Sequence, residues 1–243
     1  MPSSSGVSFG PGPMTPAVRA IIYANIGVFV LTLIAQQFMG DMFGLTPSAV
    51  LEQGRVWQLA TYLFVHSATD FFHIVFNLLS VWMFGVELER RWGTNGFTKY
   101  YFVTGVGAGV CVLLASLLPF ASAARGYTST TVGASGAVYG LLIAWALIWP
   151  HRQIIFIIFP ITVRVLVLIF GGIAFLSALT SSGGAVSNVA HLGGLLIGWL
   201  YLRGPKDLQL AFKYRLSRWR MERVRRKFNV HRGGRDDWEN RIH

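Results

Sequence analysis

The sequence predicts an all-α polytopic membrane protein that crosses the bilayer six times. Three observations predict it. Of 243 residues, 53% are hydrophobic and only 13% charged, with a mean hydropathy of +0.51, far from the balance of a soluble domain. Apolar stretches near the length of a span recur along the chain. Lysine and arginine fall almost entirely on one alternate set of connecting segments.

The elements follow in order. MPSSSGVSFGPGP is rich in Gly, Pro and Ser and uncharged up to Arg19, so residues 1–16 read as a flexible cytoplasmic leader without a signal-peptide pattern. Span 1 is Ala17–Met39. The segment 40–70 is too apolar for a floppy loop, and WQLATYLFVH (57–66) reads as a partly buried interfacial helix. Span 2, Phe71–Val86, ends in Glu87, Glu89, Arg90 and Arg91, a rim of opposite charges. Span 3, Phe97–Leu118, carries the one cysteine, Cys111, which has no internal partner for a disulfide. Spans 4 (Ser135–Trp149), 5 (Ile154–Leu179) and 6 (Asn188–Leu202) complete one membrane domain over residues 17–203.

Orientation comes from the cations. Arg19, Arg90, Arg91, Lys99, Arg152 and thirteen more beyond Leu202 lie on one side, against Arg55 and Arg125 on the other. Both termini are therefore cytoplasmic. The expected location is a bacterial cytoplasmic (inner) membrane. Residues 204–243 form a basic tail, in which Leu208, Phe212, Leu216 and Trp219 share one helical face opposite arginines. Such a helix suits an anionic lipid surface; a solvated tail that only enforces topology fits equally well. No nucleic-acid module is recognisable, and no repeat suggests a transporter.

Polar groups inside hydrocarbon are functional candidates by default. Span 2 holds His73 and Asn77, span 4 holds Ser135 and Tyr139, and span 6 holds His191. At 1.5 Å per residue, Ser135 lies roughly 22 Å from Trp149, His191 ~18 Å from Arg203 and His73 ~21 Å from Glu87. All three sites fall at one depth in the outer half of the bilayer, where such groups need a protein-lined or watery cavity. His73 shares a face with Asn77, and Ser135 with Tyr139. Gly136 and Gly140 on span 4, and Gly194 and Gly198 on span 6, are small-xxx-small pairs that let two helices approach closely. That approach brings the Ser135 hydroxyl within reach of the His191 imidazole, the minimal activated nucleophile for acyl transfer. Without an acid to orient the imidazole, the pair is a dyad. Tyr139 is placed to pack on the ring, and the Ser135 N–H, His73 and Asn77 are candidate oxyanion donors. Each also has a duller account: interhelical glue for His73 and Asn77, back-bonding for Ser135, and packing for the glycines. His66 is read as structural. Competing chemistries lack their residues, since no H-E-x-x-H occurs, no Asp lies in a span, and all four lysines are cytoplasmic.

These residues resemble the rhomboid family of intramembrane serine proteases. GASGAVYG (133–140) is similar to that family's G-x-S-G segment with its following tyrosine, and VAHLGGLLIG (189–198) to its A-H-x-x-G-x-x-x-G helix. HIVFN (73–77) resembles its H-x-x-x-N, and FGVELERRWG (84–93) its G-x-x-x-E-x-x-W-G. The resemblance runs from about Trp57 to Tyr201. It implies a six-span bundle with a short central helix starting at a nucleophilic Ser135, and His191 as general base. It also implies His73, Asn77 and Gly133 at the oxyanion, Tyr139 packed on His191, and Gly136, Gly140, Gly194 and Gly198 in helix packing. Trp57-Gln58 stands where several members have Trp-Arg, and His66 and His73 are further apart than in many.

The function expected is endopeptidase cleavage in or near transmembrane segments of other membrane proteins, with the lipid bilayer as environment and no metal or cofactor. The alternative is a catalytically silent rhomboid-like protein that binds membrane helices.

Overall fold

The computed structural model describes residues 10–119, 126–156, 159–180 and 185–227. The first nine residues of the expected leader, Arg125 and tail residues 228–243 lie outside them. The fold is mostly helical: α1 (Pro16–Ile34), α2 (Gln36–Phe43), α3 (Pro47–Gln53), α4 (Gln58–Thr61), α5 (Phe71–Ser116), α6 (Ser135–Ile148), the strands β1 (Gln153–Phe156) and β2 (Phe159–Thr162), α7 (Val163–Thr180) and α8 (Ala185–Lys227). Two of these, α1 and α5, are long and apolar enough to cross a membrane. Ser135–Ile148 and Val163–Leu179 are apolar but shorter.

Local sequence sets the boundaries. Proline opens α1 and α3 in the first turn, where its missing N–H costs nothing. The Asp70 carboxylate caps α5 by accepting from the His73 N–H at 3.1 Å. Gly93, at φ 74° and ψ 166°, breaks α5 into segments 71–92 and 94–116. Gly204, at φ 62°, breaks α8 into 185–203 and 205–227. The chain divides there into two compact units, residues 1–202 and 203–243.

In the first unit α6 lies against the two arms of α5 and is buried along most of its length. Ala137, Leu141 and Ala144 are wholly covered. Three polar side chains in this core donate to backbone carbonyls: Tyr62 to Gly105 at 2.7 Å, Tyr100 to Gly140 at 2.7 Å and Trp145 to Phe84 at 2.8 Å, whereas the buried Tyr101 hydroxyl has no partner among the described residues. An unpaired donor in such surroundings costs several kcal/mol. Outward, Ile34, Phe72, Phe76, Leu168 and Leu179 are exposed, an apolar exterior suited to lipid.

The charged end of α5 is tied to its neighbours. Glu89 accepts from the N–H groups of Ala17 and Val18 at 2.9 and 3.0 Å, and from the hydroxyls of Thr15 and Thr94. A buried carboxylate thus satisfies the orphan donors of the first turn of α1. Arg152 makes a two-pronged pair with Glu87 and stacks 4.8 Å over Trp145. Before α1, Trp82 donates to the Gly12 carbonyl at 3.1 Å and Arg90 to the Pro11 carbonyl at 2.6 Å, so residues 10–13 lie along this end of α5.

Three boundaries differ from those expected. Span 1 is not continuous to Met39; the helix stops at Ile34, and after Ala35 a second helix begins. Residues 57–66 are helical only over Gln58–Thr61. The amphipathic run there is spent instead on loop anchoring, with Gln58 accepting from the Thr46 N–H and donating to the Asp41 carbonyl. Span 5 is expected from Ile154, but Gln153–Phe156 and Phe159–Thr162 are antiparallel strands that pair Gln153 with Thr162. β-Branched residues favour a strand, and Pro160 lacks the N–H a helix interior needs.

Candidate active site

The site is assembled where the start of α6 meets α8 and the start of α5. Gly133, at φ 113°, makes the turn into α6 in a conformation that disfavours any side chain. Its N–H donates to the Tyr62 carbonyl at 2.9 Å, and Thr131 exchanges two backbone bonds with Leu45. The turn is therefore pinned from the 40–70 segment, and Ser135 becomes the first residue of a helix whose leading N–H groups have no helical partner.

Ser135 Oγ lies 2.8 Å from His191 Nε2. The Tyr139 ring stacks on the His191 ring, with centroids 4.3 Å apart and planes 3° from parallel. Phe170 of α7 meets the same tyrosine edge-on. The glycines of α6 and α8 permit this approach. A Cβ on Gly194 would overlap the Gly136 carbonyl, and one on Gly198 would lie 3.2 Å from the Gly140 Cα.

His73 and Asn77 come to the same place from α5. A Cβ on Gly133 would fall 2.7 Å from His73 Nε2 and 3.8 Å from Asn77 Nδ2, so only glycine leaves room between them and the turn. Asn77 Nδ2 also donates to the His73 carbonyl at 2.8 Å, which fixes the amide and leaves its second hydrogen for another acceptor. Ser135, His191, Tyr139, Gly133, His73 and Asn77 thus form one cluster at the junction of three helices. The hydroxyl–imidazole pair, flanked by amide and imidazole donors, is chemically able to perform acyl transfer.

A rhomboid domain model matches residues 53–204. The chain belongs to the rhomboid family. This family is membrane-embedded, and relatives of the chain are named as proteases. The chain is 32% identical over 176 residues to Rhomboid-like protease 1 of Toxoplasma gondii, covering 68% of this rhomboid and 54% of that protein. It is 29% identical over 160 residues to Rhomboid protease GluP of Bacillus subtilis, covering 65% and 27% respectively. It is 29% identical over 199 residues to Rhomboid protease GlpG of Yersinia pestis, covering 78% and 61%. This rhomboid therefore spans from 27% to 61% of the length of these relatives.

Several residues that hold the site were not singled out from the sequence. The Tyr62 hydroxyl would lie 3.0 Å from a Cβ on Gly136, and Thr104 fills the space under Gly140. The small-residue run Gly105, Ala108 and Gly109 is the sign that was available, since its spacing marks a close-packed helix face. Phe170 gave no sign of its own, being one apolar residue among many.

Proposed function

We propose that the chain is an intramembrane serine endopeptidase, with six membrane-crossing segments and both termini in the cytoplasm of a bacterium. The observation that carries this reading is the 2.8 Å approach of Ser135 Oγ to His191 Nε2 inside an apolar bundle. Neutral His191 accepts the Ser135 proton as Oγ attacks the scissile carbonyl. His73, Asn77 and the Ser135 N–H stabilise the oxyanion. The imidazolium returns its proton to the leaving amine nitrogen, giving an acyl-enzyme and a free amine. Water then adds to the ester, loses its proton to His191, and the carboxylic acid departs as Ser135 Oγ is reprotonated. No metal or cofactor is needed for these steps.

The substrate class is the membrane-crossing segment of another protein. Among the described residues the Val132 N–H and C=O make no backbone hydrogen bond, leaving a short backbone edge beside the Leu45–Thr131 bridge, three residues before the nucleophile. An extended peptide can pair with that edge, so a substrate helix must unwind locally before it is cut. Segments weakened by glycine or proline are therefore favoured. The tail beyond Gly204 is assigned to anionic lipid on its charge and on exposed Trp219 and Met221.

The test is reconstitution into proteoliposomes with a synthetic single-span substrate. Ser135→Ala and His191→Ala each lower cleavage by about 10³-fold or more, and a fluorophosphonate probe labels the wild type at Ser135 alone. Cleavage by Ser135→Ala at the wild-type rate would overturn the reading in favour of a silent helix-binding protein.

A further inference from the structure

A cavity of about 530 Å³ opens beside the candidate active site, between α2, the loop before α5 and residues 130–132. Its wall includes Gln36, Gln37, Asp41, His66, Ser67 and Val132. Nothing in the chemistry of the dyad uses it. His66 is the informative member: it is 1% exposed, and its Nε2 has no hydrogen-bond partner among the described residues. Its Nδ1 lies 3.3 Å from the Phe64 carbonyl, which can only accept, so Nδ1 carries the hydrogen and Nε2 is left as a buried acceptor. Burial, and then the neighbouring His73 ring at 5.2 Å, hold the His66 pKa down to about 4, so the ring stays neutral and Nε2 stays an acceptor. Asp41 adds a carboxylate that makes no ion pair among the described residues; Arg55 donates instead to the Asp41 main-chain carbonyl. Among the described residues no lysine or arginine lines the cavity. Gln36, Gln37 and Ser67 offer both donors and acceptors, whereas the Asp41 carboxylate and the neutral His66 Nε2 can only accept, and the group that complements the one charge in the wall is a cation with several N–H donors.

We propose that this cavity is a substrate side-chain subsite for a lysine or arginine lying a few residues from the scissile bond, with Asp41 as its ionic determinant. The inference rests on the peptidase reading above and deepens it. Val132 belongs both to the cavity wall and to the free backbone edge, and it is three residues from Ser135. At ~3.3 Å per extended residue, a peptide on that edge passes the cavity within about four residues of the bond being cut. The choice of cation has a consequence for selection. Outer flanks of membrane spans are poor in lysine and arginine, so a subsite of this chemistry admits a minority of segments.

The experiment uses the full chain in proteoliposomes and a synthetic single-span segment whose cut site is mapped by mass spectrometry. Each of six positions on either side of the cut is set in turn to Lys or Glu. One position is expected to give Lys over Glu by about five-fold in kcat/KM, the scale of one partly exposed ion pair. Asp41→Asn brings that ratio close to one, and Asp41→Lys inverts it. A preference that survives Asp41→Asn, or no position with a preference, overturns the subsite. Binding of the labelled Lys and Glu segments to Ser135→Ala is measured in parallel. Tighter Lys binding that Asp41→Asn removes supports the subsite even if no cleavage occurs, which separates its failure from that of the peptidase reading. Equal binding of both segments sinks it.

Discussion

In the proposed mechanism Tyr139 acts without touching a reacting atom. Its ring lies flat on His191 at 4.3 Å, which restricts the imidazole to the plane that faces Ser135 Oγ. A stacked pair of this kind is worth about 1 kcal/mol, so Tyr139→Ala lowers kcat by about five-fold, with KM little changed. Tyr139→Phe keeps the stack and stays within two-fold of wild type. A loss in Phe equal to that in Ala would show that the hydroxyl matters instead. Gly133 is held more tightly. At φ 113° with His73 Nε2 where its Cβ would go, Gly133→Ala must either strain the turn or displace the His73 ring, the proposed oxyanion donor. Either change is expected to cut kcat by about 10²-fold, while thermal stability falls by no more than about 2 kcal/mol. Steady-state kinetics beside a thermal melt distinguish the two effects. The polar members of this cluster were legible in the sequence because ionisable groups are scarce in hydrocarbon, and scarcity makes each one conspicuous. The buried acceptor on His66 was not legible, because a partnerless atom is a property of the folded surroundings.

At the level of elements, close helix approach and one buried carboxylate organise the bundle. Gly194 faces the Gly136 carbonyl with no space for a methyl group. Gly194→Ala therefore pushes α8 from α6 at a cost of about 1–3 kcal/mol, and the dyad opens with it. Loss of fluorophosphonate labelling should accompany the drop in Tm; full labelling would mean the backbones can shift without parting Ser135 from His191. Glu89 is a separate anchor. Burial alone would raise its pKa, but hydrogen bonds from Thr15, Ala17, Val18 and Thr94 outweigh it and hold the carboxyl below its ordinary value. A depressed folded pKa means its stabilisation is complete above the usual carboxylate range and fades as pH falls through the folded pKa. Glu89→Ala should cost about 3 kcal/mol at neutral pH, and the cost should shrink in acid; a constant cost from pH 7 to pH 3 would count against the anchor. The glycine pairs are visible as spacing, so this packing could be read early. The paired strands 153–156 and 159–162 could not, since IIF and PIT look as apolar as a span, and only Pro160 hinted otherwise. The Leu45–Thr131 bridge joins residues far apart in sequence and leaves no local trace at all.

Of the net charge of +11, seven units lie in the last forty residues, and that asymmetry makes a prediction of its own. Residues 204–243 hold twelve Lys/Arg against five Asp/Glu. In its described part this unit is a helix to Lys227, with Arg218 paired to Glu222 at 3.8 Å and Arg223 stacked 3.7 Å from the Trp219 ring. Among the described side chains, Arg218 and Arg223 are thus engaged within the helix. Beside a membrane, each cation near an anionic leaflet is worth about 1 kcal/mol, and Trp219 has the ring that settles at the lipid interface. The isolated tail peptide should therefore bind vesicles containing phosphatidylserine far better than neutral ones, and lose that binding as salt rises. In the full chain, exchanging Arg218, Arg220, Arg225 and Arg226 for Gln should leave cleavage in neutral bilayers unaltered while the tail becomes protease-sensitive in anionic ones. Binding to neutral and anionic vesicles alike, unaffected by salt, would mean that the cations serve only to fix which end of the chain stays in the cytoplasm.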